Sequence, residues 1–184
     1  MALITSEEYE KSLKKRKPRI FMDGKKIGDV FENPNLRTVI EANKASYKWA
    51  LDPKYQEIMT TISPLTNDRV NRYVYVCRSR EDLVAKAMAG TFTAERLGTC
   101  IYRCPGLDAF HTLASTTWEM DKNLGTEYHS RFIKYLKWVQ ENDLAVSGAL
   151  TEPRGDRKKR AIGWPQLISG KKNRKAQVYF SPMN

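Results

Sequence analysis

Helix-start signals recur along this chain and divide it into segments of helical length. Thr5-Ser6-Glu7-Glu8 is the first. The Thr5 hydroxyl can accept from the Glu8 amide while the Glu8 carboxylate reaches back, which predicts a helix to about Lys15. Pro18 ends it. Asn33-Pro34 opens a second helix, with Leu36, Val39, Ile40, Ala42, Ala45, Tyr47 and Trp49 giving apolar coverage to about Ala50. Asp52-Pro53 restarts the chain for a short helix through Met59. Ser79-Arg80-Glu81-Asp82 caps another, expected to run to about Ala89 and to resume after Gly90 as far as Leu97. Leu107 to Lys122 carries Leu107, Phe110, Leu113, Ala114 and Trp118 at helical spacing, and Gly125 closes it. Thr126 is expected to cap the last helix, in which Phe132, Ile133, Leu136, Val139 and Leu144 line one face.

Strand signals are few. Arg19 to Met22 and Lys26-Ile27 flank Asp23-Gly24, a turn pair, so a small hairpin is expected there. Ile62 to Asn67 reads as a loop. Arg72 to Val76 fits either a strand or a buried helical turn, because periodicity does not separate the two in so short a run. The expectation is a mainly α domain of five or six helices with little sheet and no internal repeat. In a chain of 184 residues, 41% of them hydrophobic, such a domain can bury a sizeable core.

Charge separates the body from the tail. From Arg154 to Asn184 nine Lys or Arg stand against one acid, giving +8 of the total of +11. The remainder is nearly balanced. A basic tail can bind nucleic acid through phosphates. The body carries no matching patch or recognition motif, which argues against nucleic acid as the partner. No apolar run approaches the roughly 20 residues that a membrane span needs. The first residues lack a basic region followed by an apolar one, so no signal peptide is read and a cytoplasmic protein is expected.

There are three cysteines, Cys77, Cys100 and Cys104. An odd number in such a chain argues against a disulfide framework. Cys100-Ile101-Tyr102-Arg103-Cys104 is the sharpest local feature. If helical, that spacing puts both sulfurs on one face, close enough to share one metal centre. Thiolates suit zinc or an iron–sulfur cluster. Pro105 disfavours helix at Cys104, so Cys104 can instead sit at a break before a helix that begins near Gly106. Two thiols do not close a site that needs about four ligands. By spacing alone, such a pair is more often two buried structural cysteines.

The run Leu97-Gly98-Thr99-Cys100-Ile101-Tyr102-Arg103-Cys104-Pro105-Gly106-Leu107-Asp108-Ala109-Phe110 resembles a segment of the 4-hydroxybutyryl-CoA dehydratase and 4-hydroxyphenylacetate 3-hydroxylase family. Other stretches are similar in the same order. They include Tyr9 to Leu13, Asp52 to Tyr55, Asn71 to Tyr73, Ser79 to Leu83, Gly125 to His129, Tyr135 to Leu144 and Gly148 to Arg157. The resemblance covers about residues 1 to 157.

That resemblance implies the N-terminal helical domain of an acyl-CoA-dehydrogenase-like flavoprotein, over residues 1–150 and cut short before the middle β-domain. It implies FAD, contacted by a loop that begins at 151–160. The contacting residues would be Thr151, Pro153, Gly155, Asp156 and Arg157. Backbone amides near Gly155 and the guanidinium of Arg157 suit phosphate or flavin polar atoms. In the dehydratase branch the resemblance implies a [4Fe–4S] cluster, with Cys100 and Cys104 matching two of its ligands. The monooxygenase branch lacks the pair, so the cysteines favour the dehydratase side. Cys77 stands where that branch has a His, and Tyr102 where it has a Gln. His111 and His129 are expected to be packing or cap-region residues. No catalytic residue is assigned.

The implied substrate is an acyl-CoA, of the 4-hydroxybutyryl-CoA to crotonyl-CoA type, and the implied assembly is a homo-oligomer. Residues 161–184 are expected to be a basic, disordered or out-of-frame tail. A truncated or frameshifted gene, or a split enzyme completed by a second polypeptide, would each account for it. The parent family is enzymatic, while this chain alone is expected to be inactive and to hold its cofactors poorly. The alternatives are a part of a flavin-dependent 4-hydroxyphenylacetate 3-monooxygenase-like oxidoreductase, and a non-catalytic helical module with a nucleic-acid-binding tail.

Overall fold

The structure is a computed structural model that describes residues 3–16, 18–22, 24–98, 101 and 103–148. The chain divides into two units, Met1–Gly148 and Ala149–Asn184, and the second lies outside the described residues.

Helix α1 runs from Ser6 to Arg16. Its start is the expected capping box: the Thr5 amide donates to Glu8 Oε2 at 2.8 Å and the Glu8 amide to Thr5 Oγ1 at 3.1 Å. The hairpin that follows pairs β1, Phe21–Met22, with β2, Lys25–Lys26. Helix α2, Pro34–Leu51, begins where Asn33 Oδ1 accepts from the Asn35 and Leu36 amides. Burying Ile40 and Tyr47 against Tyr9 ties α2 to α1.

The short helix α3, Gln56–Met59, leads directly into β3, Thr60–Ile62. Strand β3 pairs antiparallel with β4, Arg69–Asn71, across a loop. The loop expected from Ile62 to Asn67 is present over residues 63–67, while the strands on either side were not expected, since three-residue strands are too short to show a period of two. The ambiguous Arg72 to Val76 stretch opens as a 3-10 turn, Arg72–Val74. The buried Arg72 fixes this turn on α3 by donating to the carbonyls of Glu57, Ile58 and Thr60.

Helix α4, Arg80–Leu97, is continuous. Gly90 does not interrupt it, since one helical glycine costs only about 1 kcal/mol relative to alanine. The Ser79–Asp82 capping box starts it, and Gly98, at φ +64°, ends it in the left-handed region that glycine tolerates. Leu83, Val84 and Met88 remain exposed on its outer side.

Helices α5, Cys104–Leu124, and α6, Tyr128–Glu141, form an antiparallel hairpin around Gly125. Thr126 does not cap α6. Asp121 of α5 does, accepting from the Tyr128 and His129 amides at 2.8 and 2.9 Å and from the Thr126 hydroxyl at 2.7 Å. Phe110, Phe132, Leu136 and Val139 pack with Val70, Val74 and Tyr75, so the hairpin closes over β4 and the 3-10 turn. Leu113, Trp118 and Tyr135 are exposed on this hairpin.

A second cluster joins Leu3, Ala42, Ala50, Met59, Tyr73, Phe92, Ile101 and Leu107, with Cys104 at its margin. Fully burying side chains such as Met59, Ile101 and Leu107 contributes about 1.5–3 kcal/mol each. The head of α5 is therefore anchored to α2, α3 and α4 at once.

Candidate functional site

Cys104 is the first residue of α5 and is half-buried. Sequence reading left open whether a break follows it. The helix instead includes it, because Pro105 falls in the first turn, where a missing N–H breaks no helical hydrogen bond. The amino end of this 21-residue helix places partial positive charge beside the thiol. Cys100 lies outside the described residues, and so do Thr151, Pro153, Gly155, Asp156 and Arg157.

The last described residues pass close to Cys104. Residues 144–148 run past the first turn of α5. A β-carbon on Gly106 would lie 2.2 Å from the Val146 carbonyl oxygen, and one on Gly148 would lie 3.1 Å from Pro105 Cβ. Only glycine at 106 permits so close a backbone approach. The residue before Ala149 thus touches the residue after Cys104.

An ion pair that sequence reading missed sits under this crossing. Arg103 and Asp143 each keep about 1% of the side chain exposed. Arg103 Nη2 donates to Asp143 Oδ1 at 3.3 Å and to the Leu144 carbonyl at 3.4 Å, while Nη1 donates to Ser46 Oγ at 3.1 Å. The guanidinium lies 4.7 Å from the centre of the Tyr47 ring. Its Nε has no hydrogen-bond partner among the described residues. Asp143 sits at φ +42°, accepts the Ile4 amide on Oδ2 at 3.4 Å, and offers its carbonyl to the Tyr47 hydroxyl at 3.0 Å. Burial pushes the Asp143 carboxyl above its ordinary value, with Arg103 pulling the other way. Burial also raises the Tyr47 phenol to about 12, so it remains a neutral donor.

The other sequence candidates fall elsewhere. Cys77 is half-buried, and burial raises its thiol, which suits a structural rather than a reactive cysteine. Its amide donates to His111 Nε2 at 2.9 Å, so His111 Nδ1 carries the proton and donates to the Leu107 carbonyl at 2.9 Å. His111 is therefore a packing residue that fastens residue 77 to α5. His129 Nδ1 meets Thr117 Oγ1 at 3.0 Å, between α6 and α5. Both histidines have the roles expected of them.

Thiolate ligation at Cys104 fits the half-buried, helix-leading position of its sulfur. Among the described residues no group of three or more His, Cys, Asp or Glu could hold a metal ion, so any complete ligand set draws on residues beyond them. Among the described residues, too, no helix is long and apolar enough to cross a membrane.

Comparison with known proteins places this arrangement. A family model described as 4-hydroxyphenylacetate 3-hydroxylase N terminal matches residues 5–170. The 4-hydroxybutyryl-CoA dehydratase/vinylacetyl-CoA-Delta-isomerase of Clostridium aminobutyricum is 41% identical over 155 residues, covering 84% of this chain and 32% of its own. The structure of an oxygen-tolerant archaeal 4-hydroxybutyryl-CoA dehydratase from N. maritimus superposes with a TM-score of 0.78 at 34% identity, over 86% of this chain and 31% of its own. The oxygenase component of 4-hydroxyphenylacetate 3-monooxygenase, complexed with FAD and 4-hydroxyphenylacetate, superposes with a TM-score of 0.67 at 25% identity, over 89% of this chain and 33% of its own. The chain spans about a third of the length of each of these proteins. Its helices form the N-terminal helical domain of the acyl-CoA-dehydrogenase-like fold. With a family model matched from residue 5 to residue 170, the chain belongs to the flavoprotein family of 4-hydroxyphenylacetate 3-hydroxylases and 4-hydroxybutyryl-CoA dehydratases.

Proposed function

We propose that this chain supplies the N-terminal helical part of an FAD- and [4Fe–4S]-dependent dehydratase acting on a 4-hydroxyacyl-CoA, of the 4-hydroxybutyryl-CoA to crotonyl-CoA type. The observation that carries this reading is the position of Cys104, at the head of α5 and beside residues 146–148. The higher identity to the dehydratases, 41% and 34% against 25% for the monooxygenase component, supports the same branch.

In this reading Cys100 and Cys104 are two iron ligands, and Thr151, Pro153, Gly155, Asp156 and Arg157 contact the flavin. When bound, the two groups supply a Lewis-acidic iron for the departing hydroxyl and a transient electron acceptor that acidifies an unactivated β-hydrogen. The residues of this chain hold and orient. The first turn of α5 fixes one sulfur, Gly106 lets the 144–148 segment approach it, and Arg157 offers a planar cation to polar atoms of the cofactor. The acyl-CoA substrate and a homo-oligomeric assembly belong to the same proposal.

Anaerobic reconstitution with ferrous iron and sulfide tests it. Iron uptake is expected to be weak and to fall with either Cys100→Ser or Cys104→Ser. Equal uptake by the wild-type chain and the doubly substituted one sinks the ligand assignment. The isolated chain is expected not to turn over a 4-hydroxyacyl-CoA, and turnover by it would contradict the proposal that further residues complete the site.

A second reading, a part of a flavin-dependent aromatic hydroxylase, is favoured by the description of the matching family model and by the 25% identical oxygenase component. It expects no thiol-dependent iron, so the same experiment separates the two.

A further inference from the structure

We infer that the buried Arg103–Asp143 pair is the positioning element at the head of α5, setting where Cys104 stands relative to residues 144–148. The inference rests on the reading of Cys104 as a ligand. It goes beyond that reading by assigning a task to residues that neither ligate nor react.

The geometry joins the first turn of α5 and the 144–148 segment through one guanidinium. Arg103 immediately precedes Cys104, so any displacement of its backbone displaces the first turn of α5. Asp143 and Leu144, its acceptors at 3.3 and 3.4 Å, lead into the segment that crosses that turn. Ser46 adds a third anchor from α2, and the Asp143 carboxylate reaches a fourth at Ile4. The Asp143 carbonyl is held separately by Tyr47.

Stability alone does not account for this choice of residues. A buried ion pair is often matched or exceeded in stability by apolar side chains of similar volume. This one also leaves Arg103 Nε without a partner among the described residues. What a guanidinium provides and an apolar side chain does not is direction. Its planar fork fixes two neighbouring acceptors on one segment and a third on another. Apolar packing would hold the same segments together with less control over their register.

Cysteine alkylation reads the effect without any cofactor. In the Cys100→Ser chain, Cys77 and Cys104 are the remaining thiols, both half-buried, and peptide mass spectrometry follows each against iodoacetamide. Cys77, fastened through His111 to the middle of α5, is the internal control. The double substitution Arg103→Met with Asp143→Leu keeps volume and removes direction. It is expected to speed alkylation of Cys104 by about tenfold, through more frequent opening of the first turn, and to leave Cys77 unchanged. Arg103→Lys keeps the charge, loses the fork and is expected to shift Cys104 in the same direction by less. It carries the test if the double variant does not fold. Unchanged rates at both cysteines, or an equal rise at both, overturn the inference, because the pair would then be irrelevant or merely stabilising. The measurement involves no metal. Failure of thiol-dependent iron uptake therefore strikes the cofactor reading alone, and a negative alkylation result strikes the positioning role alone.

Discussion

The Glu10–Lys44 pair is shorter than the Arg103–Asp143 pair, 2.7 Å against 3.3 Å, yet it is the less consequential of the two. Glu10 joins α1 to α2 at the surface, where it also meets Lys14, and Lys44 reaches Glu41 as well. Water can replace each of these contacts, so such pairs contribute little net stability. Arg103 and Asp143 are about 1% exposed, and no water replaces a lost partner there. Separation alone therefore says little about an ion pair. The surroundings and the segments being joined decide its weight.

The comparison breaks first, and by the largest margin, at Asp143. Asp143→Ala leaves the Arg103 guanidinium buried without its carboxylate and is expected to cost about 3–5 kcal/mol. Denaturant unfolding would show this as a lower midpoint. A loss no larger than that of Glu10→Ala, measured in parallel, would mean the buried pair is no different from the surface one.

The crossing above the pair gives the next largest effect. Gly106→Ala places a β-carbon 2.2 Å from the Val146 carbonyl oxygen, and backbone does not yield as a flexible side chain would. The expected loss is about 1–3 kcal/mol, as for overpacked cores. Gly90→Ala in α4 is the counterpart, with nothing within 4 Å of the added carbon. It is expected to gain about 0.5–1 kcal/mol from helix propensity. Thermal melts of the two variants should move in opposite directions; the same sign for both would refute the close approach at 106.

These two glycines also show what the sequence could reveal. The helix starts at Thr5, Asn33 and Ser79 were legible because a capping side chain and the amide that donates to it lie within three residues of each other. The short strand β3 was not, and neither was the cap on α6. Asp121 reaches back over a turn to amides seven and eight residues on, which no local pattern encodes. The resemblance marked Cys104, and its spacing from Cys100 suggested a shared face, but Pro105 left the helix start ambiguous. Its partner residues were invisible for a different reason. Arg103 and Asp143 lie 40 residues apart, and a lone Arg or Asp is ordinarily a solvated surface residue. A close approach at Gly106 likewise depends on a segment 40 residues later in the chain.

The smallest expected effect belongs to the surface pair, and pH exposes it. Hydrogen bonds from Lys14 and then Lys44 hold the Glu10 carboxyl down at about 2, from an ordinary 4.5. A carboxyl lowered on folding adds stability that is fully present above its unfolded value and is lost as pH falls through the folded one. The Glu10 contribution is therefore complete above 4.5 and fades between there and about 2. Glu10→Gln should give a melting temperature slightly below wild type at pH 6, with the gap closing as pH falls towards and below about 2, where Glu10 becomes neutral as well. Added salt at pH 6 should narrow the gap, since exposed charges are screened. The same salt should leave the gap between wild type and Asp143→Ala unchanged. A gap at Asp143 that closes with salt would place that pair in contact with solvent and remove the contrast between the two sites.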